Sequence, residues 1–149
     1  MKARREPPDH AARTRALTEL DRNFLVEAGA GSGKTTLLAG RMAALVESGT
    51  RTSQIAAVTF TRKAAGELRE RFQLALEKAR AGARASAHAS DTIERIARLE
   101  TALASMDESF LGTIHAFCAR LLRERPIEAG LDPQFSELEE DEAAEMRAV

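Results

Sequence analysis

Ten residues, 27–36, read EAGAGSGKTT and place a lysine ammonium and two threonine hydroxyls directly behind alternating glycines. That combination suits a polyphosphate. Glycines let backbone N–H groups approach an anion closely, the lysine adds positive charge, and a hydroxyl can ligate an accompanying cation. Counted from Ala28, the run fits G-x-x-x-x-G-K-[ST] except for alanine at the first position. A match that loose arises by chance in about one chain in a hundred of this length. The motif therefore predicts that Lys34 reaches the beta and gamma phosphates and that Thr35 ligates magnesium, against the plainer alternative of a flexible turn with a surface lysine.

A second group follows at Thr59, Phe60, Thr61, Arg62 and Lys63. Hydroxyls and cations for phosphates beside an aromatic face for bases are the ingredients of a single-strand platform. The residue types alone allow equally that Phe60 is core and that Arg62 and Lys63 open a solvated helix.

Positioning these groups requires regular elements. Asn23-Phe24-Leu25-Val26 is an apolar run suited to a buried parallel strand, and in 34–48 Leu38, Met42, Leu45 and Val46 recur at helical spacing until Gly49 stops the helix. Residues 55–60 predict a second buried strand. A long helix is expected over 63–80, with Leu68, Phe72 and Leu76 on one face. Residues 81–90, small and repetitive, read as a linker or a frayed extension, with His88 an exposed bystander. A helix over 91–105 has Ile93, Ile96, Leu99 and Leu103 on a face. A short strand over 109–112 precedes a helix capped by Thr113, whose Ile114, Phe117, Cys118, Leu121 and Leu122 form an apolar stripe ended by Pro126. Ahead of the glycine loop, residues 1–8 read as a disordered lead-in and Asp9 as the cap of a helix over 10–20. The alternation of strand and helix predicts an α/β fold with a parallel, helix-covered sheet.

Composition narrows the classes. The 149 residues carry a net charge of −1, so nothing global marks a nucleic-acid binder, but residues 128–149 hold one Arg against eight acids. That acidic tail reads as a solvated face or interdomain segment. The single Cys118 excludes an internal disulfide and reads as buried filler in a reducing compartment. With no run of 18 apolar residues, the expectation is a soluble, cytoplasmic chain without membrane contact.

EAGAGSGKTT, then AVTFTRKAAGELRERF at 57–72, then GTIHAFCARLLRERP at 112–126 are similar in order and spacing to motifs I, Ia and Ib of UvrD/RecB-like superfamily-one DNA helicases. The wording most resembles the AddA and exonuclease V beta-subunit branch. The resemblance implies a P-loop NTPase of RecA-like architecture, incomplete here, over 9–127, with 128–149 turning into a helical subdomain. It implies ATP and Mg2+ as cofactors, with ATP contacts from Ala28, Gly29, Ala30, Gly31, Ser32, Gly33, Lys34, Thr35 and Thr36, and catalytic roles for Lys34 and Thr35. Contacts to single-stranded DNA are implied for Thr59, Phe60, Thr61, Arg62, Thr113, His115 and Phe117. Without the resemblance His115 reads as a capping-turn histidine, and Phe117 as core first and contact second.

Departures from the family pattern are also legible. Its usual adenine-reading glutamine is replaced by His10 in Asp9-His10-Ala11-Ala12-Arg13. His10 and Arg13 remain in the implied ATP-contact set, but an imidazole cannot present a donor and an acceptor side by side as an amide does, so adenine selectivity is weakened while Arg13 can stack on or contact the base. The family's carboxylate pair after a strand, and its arginine fingers, have no counterpart. Glu139-Glu140-Asp141-Glu142 follows Phe135-Ser136-Glu137-Leu138, which is no apolar strand, and reads as the start of an exposed helix. The expectation is the amino-terminal part of a 3′-to-5′ DNA helicase or helicase-nuclease of repair and recombination, stopping within a longer protein and working with its remainder or a partner subunit. The rivals are a truncated nucleotide- or DNA-binding fragment without catalysis and, lower, a small P-loop kinase, for which the linker offers only Arg84.

Overall fold

The computed structural model describes residues 8–85 and 90–136. The lead-in apart from Pro8, His88 and the acidic cluster at 139–142 lie outside them. Helix α2 (Lys34–Glu47) packs on α3 (Arg62–Ala85), which also packs on α4 (Ser90–Ala104) and covers one face of a parallel pair of strands, β1 (Ala56–Thr59) and β2 (Phe110–Thr113). Helix α1 (His10–Thr18) leans on α2, and α5 (Ile114–Glu124) follows β2 directly.

The core forms where apolar residues repeat at helical spacing. Leu68, Phe72 and Leu76 line one side of α3 and are almost wholly buried, with Leu99 from α4 and Val46 from α2. Each such side chain contributes about 1.5–3 kcal/mol by leaving water. Helix α2 ends as its glycine requires. Gly49 has φ +110°, its N–H donates to Val46 O at 2.9 Å, and the Thr50 N–H donates to Leu45 O at 2.9 Å. This is the Schellman arrangement.

The strands run in register, Ala57 beside Leu111 and Thr59 beside Thr113. Ala57 and Leu111 are buried beneath α3, whereas Val58 faces outward and is 37% exposed. The second expected strand is thus half-buried, and Phe60, at 91% exposure, is not core.

Several expectations are corrected. Residues 23–26 form no strand, and Leu25 is 89% exposed. Among the described residues β1 and β2 pair only with each other, so this segment has no ladder partner. Leu38 is exposed too, opening onto the same hollow of about 420 Å³ as Phe24 and Val26. Ile93 lies in solvent, as do Ile114, Leu121 and Leu122 on α5. Cys118 is exposed rather than buried filler, whereas its neighbour Phe117 packs on β2. Asp9 makes no capping bond, its carboxylate being drawn to Arg13 one turn along. The long helix runs on to Ala85. Residues 128–136 form turns and irregular backbone, so any helical continuation of the tail falls outside the described residues.

Candidate nucleotide site and nucleic-acid cleft

Gly33 stands at the N-cap of α2 with φ +86°, in the left-handed region that glycine enters without steric cost. Gly31, at φ +72°, turns the loop before it. No side chain caps α2 and no acid lies in its first turn. Its leading N–H groups and the positive end of its dipole therefore remain available to an anion. A Cβ on Gly29 or Gly31 would meet nothing within 4 Å, so the loop's face is open. Lys34 Nζ bends back to donate to Gly29 O at 2.7 Å and also to Ala28 O.

A cavity of about 230 Å³ lies between this loop and α1, lined by Ala12, Arg13 and Ala16 of α1, by Phe24, and by Ala28, Ser32 and Lys34 of the loop. Arg13 bridges the two. Its Nη2 donates to Ser32 O at 2.8 Å and its Nε to Asp9 Oδ2 at 2.8 Å. The Arg13 hydrogen bond holds the Asp9 carboxyl below the usual range, and the carboxylate in turn raises the guanidinium. The Ser32 hydroxyl is buried without a partner among the described residues. His10 begins α1 but does not line the cavity. Thr35 is half-buried, and Thr36 Oγ1 accepts from Arg71 Nη1 of α3 at 2.9 Å. Arg71 and Arg41 are partners of this region that motif reading missed, although Arg41 carries a signal as a lone charge within an apolar stretch of helix.

The second group gathers at the carboxyl ends of the strands. Register sets Thr59 beside Thr113, and the Thr59 hydroxyl donates to Thr61 O at 3.0 Å and Gly112 O at 3.4 Å. Thr61 Oγ1 accepts from the Ala64 N–H at 3.1 Å, and Thr113 Oγ1 accepts from the Ala116 N–H at 3.2 Å. Both hydroxyls thus serve the starts of helices while keeping a proton to donate. Arg62 and Arg69 from α3 line one opening of about 390 Å³ together with Thr113 and His115. Phe60 points into solvent and does not line it, while Phe117 packs on Phe110 at 5.2 Å between ring centres. The structure therefore brings Arg62, Thr113 and His115 together and gives Phe117 a packing role.

Among the described residues no three His, Cys, Asp or Glu side chains cluster as metal ligands, and no helix is long and apolar enough to cross a membrane. Residues 10–148 match the UvrD/REP helicase N-terminal domain family. The chain is 35% identical over 130 residues, 87% of its length, to an ATP-dependent helicase/nuclease subunit of Ligilactobacillus salivarius. It is 37% identical over 126 residues, 85% of its length, to the counterpart of the same name in Enterococcus faecalis. Exonuclease/helicase subunit RexA of Lactococcus lactis is 35% identical over 120 residues, 80% of the chain. In each case the chain spans about a tenth of the relative's length.

Proposed function

The chain belongs to the family of UvrD/REP helicase N-terminal domains, and from that membership we propose that it is the ATP-binding, single-stranded-DNA-contacting amino-terminal portion of an ATP-dependent DNA helicase. The observation that carries this reading is the open α2 N-terminus, where left-handed Gly33 leads into Lys34, which lines the cavity, and half-buried Thr35 follows it in the first turn. Residues 9–127 are then a partial RecA-like domain. Lys34 exchanges its two carbonyl partners for phosphate oxygens, the loop N–H groups bind the remaining charge, and Arg13 faces the base. Thr35 is the residue that would hold magnesium, and the ion would supply charge to offset that of the phosphates.

Coupling to DNA follows from the path of α3. It starts at Arg62 in the cleft and, through Arg71, bonds Thr36 behind the phosphate loop. A strand held by Arg62, Thr113 and His115 is thereby linked by one helix to the nucleotide. The proposal extends to 3′-to-5′ movement, to repair and recombination in the cytoplasm, and to work with the rest of a helicase-nuclease or a partner subunit.

One observation favours a second reading for this chain alone. Neither β1 nor β2 is followed by a carboxylate pair, the groups that would ligate magnesium and activate water. Binding without turnover is then expected. The ATPase rate of the 149-residue chain, with and without single-stranded DNA and beside Lys34→Ala, decides between the two once circular dichroism shows both proteins folded. A DNA-stimulated rate lost in the variant supports a motor. No rate in a folded chain supports the binding unit.

A further inference from the structure

Arg41 is the one charged residue of α2 between Lys34 and Glu47, and it is half-buried rather than solvated. Its Nη1 donates to Ala16 O at 2.5 Å and Glu19 O at 3.1 Å; its Nη2 donates to Leu20 O at 3.4 Å and Arg22 O at 2.8 Å. The guanidinium carbon also stands 5.1 Å from the centre of the Phe24 ring. These carbonyls belong to the end of α1 and the turn after it, where a helix leaves acceptors without intrahelical partners and its dipole favours a cation. Apolar packing seats α1 through few residues, buried Ala16 and half-buried Leu17, which stands over Gly40 of α2. Yet α1 and Phe24 form the wall of the cavity opposite the phosphate loop.

We infer that Arg41 is a positioning residue for the base half of the nucleotide site, holding α1 and Phe24 against the phosphate loop without touching the ligand. The inference rests on the nucleotide reading above. Removing Arg41 frees the base-side wall, while the phosphate side stays intact because Lys34 and its N-cap Gly33 belong to the start of α2 itself. Base-dependent and phosphate-dependent affinity must therefore separate, a split that general loosening of the fold does not produce.

The test is titration of the full 149-residue chain with magnesium ATP and, separately, with magnesium tripolyphosphate, which lacks the base. Wild type is expected to prefer ATP. In Arg41→Ala that preference falls about tenfold, the equivalent of ~1.4 kcal/mol, with tripolyphosphate binding unchanged. In an Arg13→Ala background the same change adds little, because the two residues act on one wall. Arg41→Lys, with its single ammonium, falls between wild type and alanine. Should the alanine variant not fold, the lysine variant is judged by the same split. Retained ATP preference, or parallel loss of both ligands in a folded variant, overturns the inference while leaving the nucleotide reading standing. A folded wild type that binds neither ligand overturns both.

Discussion

Lys34 donates to the carbonyls of Ala28 and Gly29, so an incoming phosphate has to draw it away from neutral acceptors. A charged acceptor wins that competition because charge-assisted hydrogen bonds are roughly twice as strong as neutral ones. Gly33 is the other single residue on which the loop turns. Gly33→Ala places a Cβ 3.5 Å from Arg13 Nη1, an ordinary contact, so the cost comes from the left-handed backbone rather than from crowding. It should destabilise the chain by about 1–2 kcal/mol. An unchanged denaturant midpoint would refute that. In the cleft, Arg62→Ala and His115→Ala should each weaken single-stranded DNA binding. The arginine change alone should also lower the slope of log affinity against log salt by about 0.7. Equal affinity for wild type and both variants removes those roles.

At the scale of elements, the helical periods and the parallel strands near 55–60 and 109–112 were legible, and the fate of residues 23–26 was not. Leu68, Phe72 and Leu76 announced α3 because burial follows the 3.6-residue repeat, and Thr113 announced α5 because its hydroxyl can accept from Ala116 N. Asn23-Phe24-Leu25-Val26 misled because an apolar run states a wish for a neighbour without supplying one. Cys118 and Leu121 misled similarly, since a stripe on α5 does not say what will cover it. Motif spacing singled out residues 28–36 and the group at Arg62, Thr113 and His115 as candidates, but Arg41 and Arg71 bond through tertiary contacts invisible to it.

Two element-level outcomes follow. Phe72→Ala, at a fully buried position shared by α2, α3 and α4, should cost about 3–5 kcal/mol by equilibrium unfolding; a loss under about 1 kcal/mol contradicts the packing. In α1, Arg13 holds the Asp9 carboxyl low and Arg15 holds Glu19 low, each chiefly through a side-chain hydrogen bond. Groups with lowered values stabilise the fold above the ordinary carboxylate range and stop doing so as pH falls through the lowered ones. Amide exchange in α1, compared at equal intrinsic rates, should therefore quicken below about pH 4, and Asp9→Asn should flatten that dependence. Protection that stays constant down to about pH 2 contradicts it.

Over the whole molecule, Leu25, Val26, Leu38 and Val58 leave apolar surface at the phosphate-loop segment and on the outer sheet face. Relatives about ten times longer than this chain have ample sequence to cover such surface. Made alone, the chain should be poorly soluble or dependent on a partner. A cooperative melt at high temperature without ligand would count against this. The most direct test of a nucleotide-binding helicase segment is calorimetric titration of magnesium ATP into the folded wild-type chain and into folded Lys34→Ala. Saturable binding that weakens at least about tenfold in the variant is the predicted result, the loss of charge-assisted bonds to phosphate. Equal affinity in the two proteins, or none in either, would contradict it.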